Sequence, residues 1–156
     1  MTEASAVEVS RRVATTPETV FPYFTDPARH VQWMGNDATL EPAPGGAYRL
    51  RMGDGFGVDG EYLEIEPPHR VVVAWGWAPG SGKTAKTGPQ PDDAVPAGST
   101  RVAVTVEPDD GGSRVTLRHL DLPETMLEGH RVAWNVYLDR LGVCLAGGDP
   151  GPDSHA

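Results

Sequence analysis

The stretch PETMLEGHRVAWNVYLDRLGVCLAGG, residues 123–148, reads as one long amphipathic helix, and whatever covers its apolar side decides the fold. It opens on Pro123 and closes at Gly147-Gly148, residue types that favour helix starts and stops. Leu127, Trp134, Leu138, Leu141 and Leu145 recur at helical spacing as a single stripe, with Met126, His130 and Tyr137 beside it. Such a stripe needs an apolar surface of matching length, so the search for its partner leads upstream.

Upstream the period changes from helical to two. Val7, Val9, Arg11 and Val13 alternate with Glu8, Ser10 and Arg12 as an opening strand. Thr16-Pro17-Glu18 then places Thr at an N-cap and Pro at the first helical position, predicting a short helix from Pro17 to about Phe24. Asp26-Pro27 repeats the device and predicts a second short helix ending near Trp33. From Asp37 the pattern is strand and turn. Tyr48, Leu50 and Met52 share one face, as do Val71, Val73, Trp75 and Trp77, then Val102, Val104 and Val106, then Val115, Leu117 and His119. This antiparallel meander with one apolar face is the partner that the helix requires. The expected architecture is α+β: a curved antiparallel sheet wrapped around a long C-terminal helix, with two short helices after the first strand. Residues 7–146 form the domain, residues 79–98 a long flexible loop, and residues 1–6 and 147–156 disordered ends.

Several functions are disfavoured at this stage. With 22 acidic against 13 basic residues, the formal charge of −9 gives no electrostatic basis for binding nucleic acid or an anionic membrane. No apolar stretch is long enough to span a bilayer, and the N-terminus has no hydrophobic signal region, so a cytoplasmic protein is expected. The single cysteine, Cys144, is expected to be a small apolar helix residue. Gly80-Ser81-Gly82-Lys83-Thr84 invites comparison with a phosphate-binding loop. That motif needs a glycine five positions before Gly82, where Trp77 stands, and a helix after the lysine, where Gly88, Pro89, Pro91 and Pro96 follow. The nucleotide reading fails on both counts.

Taken in order, the motifs resemble a known family. Ala14, Pro17-Glu18, Val20-Phe21, Thr25-Asp26-Pro27 and Trp33 match its opening, and Pro44-Gly45-Gly46-Ala47-Tyr48 its p-G-G-x-f/y turn. Gly60, Tyr62, Glu64, Pro67, Arg70 and Trp75 match its central strand pair, and His130, Ala133-Trp134 and Leu138-Asp139-x-Leu141 its closing helix. On these residues the chain is similar to the activator-of-Hsp90-ATPase-homologue-1-like branch of the START/Bet v 1-like (SRPBCC) superfamily, from about Val7 to Leu145. Ala133 stands where the family usually has glycine. The resemblance implies the helix-grip fold, in which a cavity can lie between sheet and helix. It implies a hydrophobic small molecule as partner, no cofactor, and leaves room for a homodimer. Chaperone activation is not expected, because the eukaryotic co-chaperone carries a further N-terminal domain for which 156 residues leave no room.

The candidate site follows from the inward faces. Trp33, Tyr48, Leu50, Met52 and Tyr62 are expected to line a ligand cavity from one side. Val73, Trp75, Trp77, Val104 and Leu117 line it along the sheet, and His130, Trp134 and Tyr137 from the helix. His119 joins them by strand parity. The two histidines are the candidate acid/base groups of a cyclase-, dehydratase- or hydrolase-like enzyme using the same cavity. Against that stand histidines bound to a backbone carbonyl or to Glu64, and aromatic residues that simply fill the core as a protein-interaction module. Glu61 and Glu64, an odd number of positions apart, are expected on opposite strand faces. No set of three or four convergent metal ligands can be assembled, so no metal is expected.

Overall fold

The computed structural model describes residues 6–52, 56–78 and 95–153. Its strands are β1 Ala6–Val13, β2 Asp37–Leu40, β3 Ala47–Met52, β4 Phe56–Glu66, β5 Arg70–Trp75, β6 Thr100–Asp109 and β7 Gly112–Leu120. They form one antiparallel sheet in the order β1-β7-β6-β5-β4-β3-β2, so β2 to β7 are the expected meander and β1 adds to its far edge. Strand alternation sets what is buried. Tyr48, Leu50, Met52, Val71, Val73, Trp75, Val102, Val104, Val106, Val115, Leu117 and His119 all lie in the interior, because residues two apart point to one face. The other face carries cross-strand ion pairs such as Arg49–Asp59 at 3.2 Å and Arg70–Glu64 at 3.1 Å. The β6–β7 hairpin turns at Asp110-Gly111, both with positive φ, the requirement of a tight two-residue hairpin loop.

Strand β4 departs from simple parity. Tyr62 pairs with Val73 but Glu64 with Val72, which leaves Leu63 as an extra, bulged residue. The bulge restores both Glu61 and Glu64 to the outer face, opposite Ala74 and Val72. Their expected placement on opposite faces is therefore corrected.

Between β1 and β2 run α1 Pro17–Val20, a 3-10 turn Phe21–Phe24, and α2 Pro27–Trp33. Asp26 caps α2 by accepting the Ala28 N–H at 3.0 Å. Thr16 holds the cap position of α1 without a side-chain cap bond. Helix α3, Leu127–Leu145, buries Trp134, Tyr137, Leu138, Leu141 and Cys144, while Leu127 and Leu145 at its ends are only partly buried. Each large side chain so enclosed stabilises by roughly 1.5–3 kcal/mol relative to exposure. Arg11 of β1 ties the outer side of the helix through Asp139 at 3.0 Å and Asn135 Oδ1 at 2.8 Å.

The C-terminal tail, expected to be disordered from residue 147, is packed as far as Asp153. Asp153 is buried and accepts the Tyr137 hydroxyl at 2.9 Å and the Gly35 N–H at 2.8 Å. Arg140 donates to the carbonyls of Trp33, Pro150 and Gly151 at 2.8, 3.2 and 2.8 Å. A polar, proline-rich composition concealed one carboxylate and two backbone carbonyls with partners on the body. Similarly, Val95–Gly98 of the expected flexible loop is tied down, with Val95 buried and its carbonyl accepting the Trp77 N–H at 2.9 Å. The rest of that loop, the Gly80–Thr84 stretch and the outermost residues of both ends lie outside the described residues. Among the described residues no helix is long and apolar enough to cross a membrane.

Candidate ligand site between the sheet and the last helix

Helix and sheet enclose a cavity lined by Phe24, Trp33, Tyr48, Val71, Val73, Val102, Val104, Leu117 and Trp134. Its volume is about 20 Å³. That is room for one water, against roughly 300–1,000 Å³ for pockets that enclose small ligands. Trp33, Tyr48, Val73, Val104, Leu117 and Trp134 thus meet at one cavity. Leu50, Met52, Tyr62, Trp75, Trp77, His119, His130 and Tyr137 are not among its walls. The large aromatic side chains are the reason the space is small: they fill the volume that smaller residues would leave open.

The cavity wall has one polar corner, built by α2 and β3. His30 is fully buried, with Nδ1 at 3.1 Å from the Met34 carbonyl and Nε2 at 2.9 Å from the Tyr48 hydroxyl. Trp33 stacks on the imidazole at 5.0 Å between centroids and 30°. Burial lowers the His30 pKa to about 4 and raises that of Tyr48 well above the usual phenol value, the nearby Tyr62 adding to the latter. At neutral pH the pair is a neutral histidine and a neutral phenol.

A second cluster lies beyond Trp134. The Trp75 ring meets those of Trp77, His119 and His130 at 5.1, 4.8 and 5.6 Å, and Trp134 at 6.1 Å. His119 is fully buried. Trp134 Nε1–H donates to its Nδ1 at 2.9 Å, its Nε2 lies 2.8 Å from Thr100 Oγ1, and that hydroxyl donates to the Trp75 carbonyl at 2.6 Å. Indole is a donor only, so Nδ1 is the bare nitrogen and Nε2–H donates to Thr100. Burial, then the adjacent His130, push the His119 pKa far below the usual histidine range. With both nitrogens engaged, His119 has no lone pair for a substrate proton, and its partners are Trp134 and Thr100 rather than Glu64. His130 is half-buried, packed edge-on to His119 at 5.1 Å and 89°. In the middle of this cluster the Trp75 indole N–H, fully buried, has no hydrogen-bond partner among the described residues.

The family model described as Activator of Hsp90 ATPase homolog 1-like protein matches residues 14–146. The chain belongs to this family. Among solved structures, DynU16 of the dynemicin biosynthetic locus is 22% identical with a TM-score of 0.75, over 96% of this chain and 50% of that one. The chain thus spans about half the length of DynU16. MLL2253 from Mesorhizobium loti is 20% identical with a TM-score of 0.75, over 92% of this chain and 98% of that one. The Aha1 dimer from Colwellia psychrerythraea is 19% identical with a TM-score of 0.70, over 90% of this chain and 95% of that one. At these identities the likeness establishes the shared helix-grip fold. Among curated proteins no relative matches.

Within this Hsp90-activator-like domain, residue patterns missed His30, Thr100 and Asp153. The two-residue period placed Tyr48 and His119 inward, but nothing in PARHVQW shows that His30 reaches a tyrosine 18 positions away. Cys144 is a packing residue, as expected: its thiol faces the Gln32 carbonyl at 3.5 Å and burial raises its pKa. It forms one wall of an outer groove of about 450 Å³ between α2, α3 and the tail.

Proposed function

We propose that this domain binds an aromatic, largely apolar small molecule between its sheet and α3. The observation that carries the reading is the buried Trp75 N–H without an acceptor, set among the rings of Trp77, His119, His130 and Trp134. An unmet buried donor costs roughly 1–3 kcal/mol, which a ligand acceptor would recover. Flat aromatic walls and few polar groups suit a planar ligand. The Trp75 cluster lies outside the 20 Å³ cavity but shares Trp134 with it, so a ligand reaching both must part the helix from the sheet or turn the aromatic side chains aside. A cytoplasmic setting is part of this proposal. Native mass spectrometry of gently purified protein should show an adduct released on denaturation. Calorimetric titration should give one site, with 2-acetylnaphthalene, which offers a carbonyl acceptor, binding more tightly than naphthalene. Bare protein together with no saturable heat for either probe would sink the reading.

Self-association is a second reading, favoured by a separate observation. Val132, Val136 and Val143 are 55%, 53% and 41% exposed on α3. At 100° per residue they fall within about 40° of arc, one apolar line along the outer side of the helix. A structural relative is a dimer, the Aha1 dimer from Colwellia psychrerythraea. A second copy of this chain is the proposed occupant of that line, and sedimentation velocity is the test.

A further inference from the structure

Resting on the ligand-binding reading above, we propose that Tyr48 selects aromatic ligands bearing a hydroxyl or amino hydrogen, which its phenolic oxygen accepts. The Met34 carbonyl can only accept, so the hydrogen of the neutral His30 ring is on Nδ1, 3.1 Å away. Nε2 is then bare, and the Tyr48 O–H at 2.9 Å donates to it. The single phenolic hydrogen is thereby engaged. What Tyr48 still offers is oxygen lone pairs, which makes it an acceptor and not a donor.

The histidine cannot readily reverse this polarity. It is fully buried, stacked on Trp33 and met edge-on by Tyr48 at 5.6 Å and 66°. A ring flip would break the bond to Met34 and place carbon against the tyrosine hydroxyl. Other polar side-chain atoms of the cavity walls are already engaged. Trp33 Nε1–H donates to the Tyr23 carbonyl at 2.9 Å, and Trp134 Nε1–H to His119 at 2.9 Å. Tyr62, packed edge-on against Tyr48 at 5.6 Å, donates its hydroxyl to the Phe24 carbonyl at 2.9 Å and is not a wall of the cavity, so it does not compete. Of the described side chains lining the cavity, Tyr48 is therefore the one with unused hydrogen-bonding capacity. A ligand hydroxyl or amine hydrogen gains a bond at Tyr48, whereas a ketone or ether oxygen gains none there and finds its donor only at the Trp75 N–H.

The test compares 2-naphthol with naphthalene by calorimetry on the intact protein. Without an acceptor, burying the hydroxyl carries a penalty and naphthalene binds more tightly. With Tyr48 accepting, the order reverses, and 2-naphthol is expected to bind about fivefold more tightly. Tyr48→Phe should restore the naphthalene preference, and Tyr62→Phe should leave the 2-naphthol preference in place. A wild-type protein that prefers naphthalene overturns the proposal while sparing the ligand-binding reading, as does a 2-naphthol preference that survives Tyr48→Phe. Absence of saturable binding by both probes overturns the reading and the proposal together. Should Tyr48→Phe fail to fold, the wild-type order of affinities still decides.

Discussion

His30 and His119 are held as opposite tautomers by neighbours that can play one role only. Met34 offers a carbonyl to His30 Nδ1, which must carry the hydrogen; Trp134 offers an indole N–H to His119 Nδ1, which must be bare. Both rings are buried and neutral, so acid must act on them through unfolding. The folded pKa of His30 is about 4 against 6.5 for a free histidine, and that of His119 is lowered further. The unfolded chain therefore binds more protons than the folded one below about pH 6.5. Stability is fully present above that pH and is lost as pH falls toward 4. Between pH 7 and pH 5 the loss is about 2 kcal/mol per histidine. Urea denaturation at the two pH values should show it, and His30→Gln should reduce it by about half. An unchanged midpoint between pH 7 and pH 5 would contradict the burial of both rings in the neutral form.

At the scale of elements, the same residue type has opposite meanings in β4 and in α3. Gly60 lies so close to β5 that a Cβ would collide with the Ala74 carbonyl oxygen, which belongs to backbone and cannot swing away. Gly142, inside α3, has nothing within 4 Å of where its Cβ would be. Gly142→Ala should stabilise by about 0.5–1 kcal/mol through helix propensity and a less free unfolded chain. Gly60→Ala should destabilise by about 1–3 kcal/mol or more, because the strands must separate. Thermal unfolding of the two variants should move in opposite directions; a common direction would refute the packing described for either glycine. Much of this level was legible beforehand. Period-two runs and the Thr16-Pro17 and Asp26-Pro27 signals located the strands and short helices, since local periodicity and cap chemistry act within a few residues. Pro123, by contrast, precedes a 3-10 turn, Glu124–Met126, and the long helix starts only at Leu127. The bulge at Leu63 was not legible, because it is a property of how β4 pairs with β5 rather than of either strand. Nor was the anchoring of Asp153, whose donors come from Gly35 and Tyr137, far away in sequence.

For the whole molecule, the architecture followed from one long apolar stripe needing one apolar sheet face, whereas the cavity did not. Strand parity places Tyr48 and Leu117 inward and helical spacing places Trp134, yet whether they enclose a chamber or close it depends on side-chain packing that no period encodes. Net charge acts at this scale too, and it bears on self-association through the α3 valines. Two copies at −9 repel one another at long range, while Val132, Val136 and Val143 attract only on contact. Raising salt from about 0.15 to 1 M shortens the screening length from about 8 to 3 Å and removes most of that repulsion. The dimer fraction in sedimentation velocity is therefore expected to rise with sodium chloride, where an interface built on ion pairs would weaken. Val136→Glu places a charge in the middle of the apolar line and should return the protein to monomer at both salt concentrations. A dimer that dissolves in high salt, or one indifferent to Val136→Glu, would move the contact away from this face of α3.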